Sequence, residues 1–387
     1  MMRRRSCLGL LLALAAADAA RAGSAVGECV LDGPQGAWLL GETGLLQPLP
    51  HAVAPVAVDG ALWTATNRGG DAGDGGHGGE VQRWQRRPSG AWTVVARRSL
   101  DAPVHALAAS ADGRHAVTAH GQRLTVLGDD CAVLAAFEGR DLAGRRQGRA
   151  EALFALAGRR SFVASWPALG ELWEISLDPA AEPIYDGLVH DYRMGEGIAR
   201  PGLLGARRTP LGLPMPSIEF GDARLPWVAG RDAAGVAIVH LDVRRRVATL
   251  PLAGARPGAG ALRRTASGDT WWLPAGDRVH VVDARRWTVL ASHPLPAPVQ
   301  SLQAIGDRIA ARAGDPAALL LWQDERWQAV QGLGPVAALG ADAGAGHWLV
   351  VAGSPPMLHR LDRDGRPLSS VALPGQGQIT RVQALRA

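Results

Sequence analysis

Few side chains in this 387-residue chain have the type and spacing to do chemistry. The three cysteines, Cys7, Cys29 and Cys131, form no Cys-x-x-Cys-His motif, so no covalent c-type haem is indicated. No Cys/His spacing reads as a zinc site either. Asp186 and Asp191 lie near His190, but that grouping is too common to specify acid–base work, and no nucleophile–base set accompanies it. The glycine-rich stretch 68–80 could cradle a cation or a phosphate, or could be no more than a loose hairpin loop. Tyr185 and Tyr192 are the only two tyrosines, and both fall in a Gly-, Pro- and Arg-rich segment over 185–214. Loops of that length in compact domains are usually functional or disordered.

What comes before these residues bears on which of them count. Arg3, Arg4 and Arg5 precede an apolar run over 8–17, and Ala20-Arg21-Ala22 puts small residues where a signal peptidase reads. Together these predict a secretory signal over 1–22, cleaved after Ala22, and a mature domain over 23–387. The apolar run stops at Asp18, short of the ~20 residues that cross a bilayer. No later stretch is long and apolar enough to span, and no lipid-anchor cysteine is present. The expected product is periplasmic. Removing Arg3, Arg4, Arg5, Arg21 and Asp18 takes the formal charge from +5 to +2, too near neutral to argue for nucleic acid. Cys29 and Cys131 then remain, and an oxidising compartment favours joining them. The loop closed would contribute roughly 4–5 kcal/mol on the chain-entropy model. Whether the two Cα atoms approach closely enough stays open at this level.

The rest of the chain is a string of short strands. Apolar runs of a few residues alternate with Gly, Pro, Asp and Asn turns, and helical periodicity is nearly absent. Val236-Ala-Ile-Val-His-Leu-Asp followed by Arg246-Val-Ala-Thr-Leu has the same layout as Arg278-Val-His-Val-Val-Asp followed by Trp287-Thr-Val-Leu-Ala-Ser. A four-strand unit recurring about every 40 residues is the mark of a β-propeller, because small twisted sheets cover their faces only by stacking into a ring. Units are expected at 51–104, 105–150, 151–216, 217–256, 257–299, 300–336 and 337–374. The segment 378–385 is strand-like and would pair with 28–50 to complete an eighth blade and close the ring. Eight blades are predicted, with seven as the alternative. Most of the 13 tryptophans fall at strand positions and read as packing between blades.

From Arg149 onward the chain resembles the haem d1 domain family, which includes the eight-bladed domain of the d1-type nitrite reductases, periplasmic haem d1 biosynthesis proteins and stand-alone members. The stretches that carry the resemblance are Arg149-Ala-Glu-Ala-Leu, Gly170-Glu-Leu-Trp-Glu-Ile, Tyr185-Asp-Gly-Leu-Val-His-Asp-Tyr-Arg-Met-Gly-Glu-Gly-Ile, Arg207-Arg-Thr-Pro-Leu and Leu241-Asp-Val-Arg-Arg-Arg-Val-Ala-Thr-Leu-Pro-Leu. The resemblance implies non-covalent binding of haem d1 or a precursor. A pocket for a flat, carboxylate-bearing iron macrocycle needs an imidazole on the metal, cations at the rim and apolar faces.

By blade count the family's axial histidine falls on His51, and His105 has the same local setting one blade later. Either could instead be a satisfied turn histidine. Arg149, Arg193, Arg207 and Arg208 are the candidate carboxylate partners, with Tyr192 beside them. The family's catalytic members carry a distal histidine in a Pro-His-(x)-Gly-x-Gly turn; the matching turn here reads Ala255-Arg256-Pro257-Gly258-Ala259-Gly260, and the second distal position falls near Pro274. Arg256 in place of that histidine could face the ligand but is no substitute as a proton donor. The resemblance therefore implies a tetrapyrrole-binding accessory or biosynthesis factor, with denitrification proteins as its partners, more than a nitrite reductase. A degenerate propeller serving as a cofactor-free interaction scaffold is the competing reading.

Overall fold

A computed structural model of the chain describes residues 28–41, 44–50, 53–58, 60–67, 78–185, 199–373 and 378–385. The signal-like segment 1–22, together with His51, Tyr192 and Arg193, lies outside these residues. The described residues form eight four-stranded antiparallel sheets and no α-helix. In chain order, blades 1 to 7 span 53–100, 104–138, 152–210, 217–250, 261–294, 299–329 and 336–372. Blade 8 is built from Cys29–Gly33, Gly36–Leu40 and Leu46–Leu49 together with the late strand Arg381–Ala384. The eight-bladed propeller expected from the repeat is therefore the fold, and the seven-bladed alternative falls away.

Burial accounts for the closure. The buried apolar side chains fall into eight clusters, and each cluster joins two neighbouring blades. Eight interfaces for eight blades leave no open edge to the ring. Trp166 and Trp173, centroids 4.3 Å apart, fill the interface of blades 2 and 3. Trp227 and Trp271 do the same between blades 4 and 5. The last interface closes because Arg381–Ala384 pairs with Cys29–Asp32 as the innermost strand of blade 8. The approach there is so tight that a Cβ on Gly33 would sit 2.0 Å from the Gln378 carbonyl oxygen, so only glycine fits.

The open question of a Cys29–Cys131 bridge is answered in the negative: both thiols are free. Cys29 is packed between blades 7 and 8 and Cys131 between blades 1 and 2, so separate cores hold them. Burial pushes the Cys29 pKa up to about 12 and that of Cys131 to about 11, which keeps both protonated and unreactive.

Candidate functional site

In every blade the first and third strands run one way and the second and fourth the other. The connections leading into each first strand therefore lie at one end of the ring, called here the entry end, together with the turns between second and third strands. The first strands of successive blades lie against one another, which makes them the inner wall.

Three candidates gather at the entry end. His105 is the second residue of the first strand Val104–Ala109. Register passes from Val104↔His120 to Ala106↔Ala119, so His105 is the extra residue of a β-bulge, a device that re-aims a side chain. Its Nε2 lies 2.8 Å from the Ala150 carbonyl in the connection into blade 3. A carbonyl only accepts, so Nε2 carries the proton and Nδ1 of the neutral ring keeps a lone pair. Arg149, beside Ala150, is exposed. Arg256 lies in the connection into blade 5, and its backbone N–H donates to the Pro274 carbonyl at 2.8 Å. The two positions where the resemblance places distal histidines are thus neighbours here, occupied by a guanidinium and an imino acid.

Arg207 and Arg208 are not brought to the inner wall. They lie on Ala206–Pro210, the outermost strand of blade 3, and consecutive strand residues face opposite sides of a sheet. Arg208 lies 4.1 Å from the Trp173 ring centroid and donates through Nη1 to the Arg140 carbonyl at 2.8 Å. Arg207 faces the other way, with Arg159 and Glu174. The strand pair Ile184–Tyr185 and Ala199–Arg200, which brackets Tyr192 and Arg193, leaves blade 3 between its third and fourth strands, at the end opposite His105. The glycine-rich stretch is bracketed by Asn67↔Gly79, a hairpin at the entry end, although residues 68–77 themselves lie outside the described residues.

Two features were missed from sequence. One is Arg312, at the entry end of blade 6. The other is a buried histidine, His120, only 3 % exposed, with Nε2 2.9 Å from Thr125 Oγ1 and Nδ1 3.2 Å from Asp101 Oδ1. Thr125 is buried and Asp101 exposed, the reverse of a working nucleophile arrangement, so this network ties the entry connection to the sheet. Strand register could have exposed it, since His120 pairs with Arg123 and Thr118 with Thr125.

Burial holds the His120 pKa low; the charges of Arg123 and His105 add to this while Asp101 opposes it. Burial also lowers the pKa values of His280, His293, His347 and His359. A histidine with a depressed folded pKa is neutral in the fold and protonates more readily in the unfolded chain. Stability is therefore fully present above pH 6.5 and is lost as the pH falls through the folded values. The urea midpoint should drop between pH 7.5 and pH 5.5, and by less in His120→Asn. A midpoint that rises on acidification would contradict this.

A separate cavity of about 150 Å³, lined by Ser110, Asp112, His115 and Arg160, lies at the opposite end of the ring. It is smaller than the several hundred Å³ that a macrocycle needs.

These features define the class: a closed eight-bladed β-propeller with an imidazole and, at the same end, guanidinium groups that no carboxylate among the described residues pairs with. No family model and no curated protein sequence matches the chain. Among solved structures it is similar to the dihydro-haem d1 dehydrogenase NirN in complex with DHE, with a TM-score of 0.68, 16 % identity, and coverage of 92 % of this chain and 74 % of that one. It is also similar to the Dos1 propeller, with a TM-score of 0.53, 10 % identity, and coverage of 84 % and 85 %. At these identities the likeness is one of fold.

Proposed function

We propose that the chain is a periplasmic binder of a haem d1-type tetrapyrrole, held non-covalently at the entry end, and that it acts as an accessory or assembly factor rather than a nitrite reductase. The observation that carries this reading is the gathering of His105, Arg149 and Arg256 at one end of a ring similar in fold to NirN, a protein solved with DHE. The residues suit such a group. His105 Nδ1 has a free lone pair, and the guanidinium forks can take carboxylates in the bidentate manner. His51 is proposed as the metal ligand, with His105 as the alternative.

When bound, the macrocycle would supply iron redox chemistry. The chain's own part is to bind and orient its carboxylates. The Arg256 guanidinium has donors but no acceptor, and Pro274 has no ionisable group. Neither can pass a proton to a bound oxyanion, which favours carriage of the macrocycle over nitrite reduction. Denitrification proteins of the periplasm are the proposed partners.

Reconstitution with haem d1 tests the reading. A shifted Soret band is expected, lost or displaced in His51→Ala and changed in His105→Ala. No shift, or one unaltered in both variants, would sink the proposal and leave the scaffold reading in its place.

A further inference from the structure

Two guanidinium groups at the entry end are anchored around the same step of backbone, and no carboxylate among the described residues pairs with either. The first strand of blade 6 opens with a β-bulge: register runs from Val299↔Ala313 to Ser301↔Arg312, which makes Gln300 the extra residue. Arg256 reaches across from the connection into blade 5 and donates through Nη2 to the carbonyls of both Val299 and Gln300, the latter at 2.8 Å. Arg312 stands opposite that bulge on the second strand. It donates through Nη1 to the Ala337 carbonyl at 2.6 Å, where Ala337 is the extra residue of blade 7's own bulge. Gln300 is held in turn by its amide, which donates to the Gly314 carbonyl at 2.6 Å.

The bulge carbonyls explain why each side chain is fixed in place. They do not explain why each is arginine. A guanidinium has five N–H donors in a planar fork. Among the described residues Arg256 uses Nη2 alone and Arg312 uses one bond from Nη1, so Nε and the rest of each fork remain. Capping a carbonyl needs one donor, which an amide side chain could supply without a charge. Burial and the Arg256 charge both push the Arg312 pKa below its ordinary value; Arg312 is half-buried, while Arg256 is exposed to solvent. A negative group between them would favour both charges.

We infer that Arg256 and Arg312 form an anion-binding site at the entry end, which takes a carboxylate or a small oxyanion on the donors left over from the bulge carbonyls. The inference does not depend on a tetrapyrrole. A free oxyanion and a carboxylate on the edge of a macrocycle present the same acceptor chemistry, and the test separates them.

Sulfate is the probe, titrated calorimetrically into the full chain at constant ionic strength, with Arg312→Gln and Arg256→Gln in parallel. The expected result is saturable binding to the parent, weakened at least tenfold in each variant. Absence of saturable binding would overturn the inference, as would equal affinity in variants that keep the parent's unliganded melting midpoint. If a glutamine variant does not fold, Arg312→Lys decides: it retains a charge and one donor for Ala337 but loses the fork. Several-fold weaker binding supports the site and unchanged binding overturns it. Repeating the titration with a tetracarboxylate porphyrin present identifies the source of the anion. Competition assigns the site to a macrocycle carboxylate, and undiminished sulfate binding assigns it to a free oxyanion. A chain that binds sulfate but no haem d1 would retain this site while losing the function proposed above.

Discussion

A chain cut to end at Thr380 is expected to lose the closed ring and with it a cooperative unfolding transition. It would lack Arg381–Ala384, the innermost strand of blade 8, whose four paired positions cover the Cys29–Asp32 edge. It would also lack Val382 and Leu385, buried in the clusters that join blade 8 to blades 7 and 1. Each large side chain so removed contributes about 1.5–3 kcal/mol. The strand's ladder and the newly exposed faces of two interfaces add to the loss. A whole domain is stable by only about 5–15 kcal/mol, so the deficit is of the size of the total. Denaturant unfolding and size-exclusion chromatography check this: a broad, non-cooperative transition and aggregation are expected. An unchanged midpoint would mean that this strand does not hold the ring shut.

The second large effect is expected at Arg159. Glu174, on the third strand of blade 3, is 9 % exposed and receives Arg159 Nε and Nη2 at 2.7 and 3.1 Å, with Ser161 Oγ donating at 2.9 Å. Arg159 Nη1 also reaches Asp242 of blade 4 at 2.5 Å, so one guanidinium ties two blades together. Burial alone would depress the Arg159 pKa, yet Glu174 and Asp242 hold it raised. Arg159→Met leaves the Glu174 carboxylate desolvated without its partner and should cost about 3 kcal/mol. Arg159→Met combined with Glu174→Leu should recover most of that, because a buried pair replaced by apolar groups is often close to neutral. Urea denaturation of the two single variants and the double variant gives the coupling. Strict additivity would show that the pair is not the cause.

The ring was legible in the sequence because a propeller writes its period openly: strand, turn and strand recur at the spacing of one blade, and leftover strand-like segments at both ends imply a shared blade. Positions along the inner wall were less legible. Arg207 and Arg208 look like one cationic cluster on paper, but a strand sends neighbours to opposite faces, and this strand is the outer one. Arg312 shows the converse. It sits in an ordinary apolar strand, and its relation to Arg256 arises only through a bulge at Gln300 that no composition reveals. The cysteines are a further case: two left in the mature segment suggest a bridge, but nothing in their spacing shows that they enter different interfaces.

The seam where the ring is joined also sets how the molecule can be attached to anything else. The Leu385 N–H donates to the Glu28 carbonyl at 2.9 Å, and Cys29 lies opposite Ala384. Polypeptide on either side of the ring therefore leaves from one spot, at the end facing away from His105, Arg256 and Arg312. A tether, an anchor or a fused domain there would hold the propeller by its back and leave the mouth that bears the cations clear for whatever approaches it.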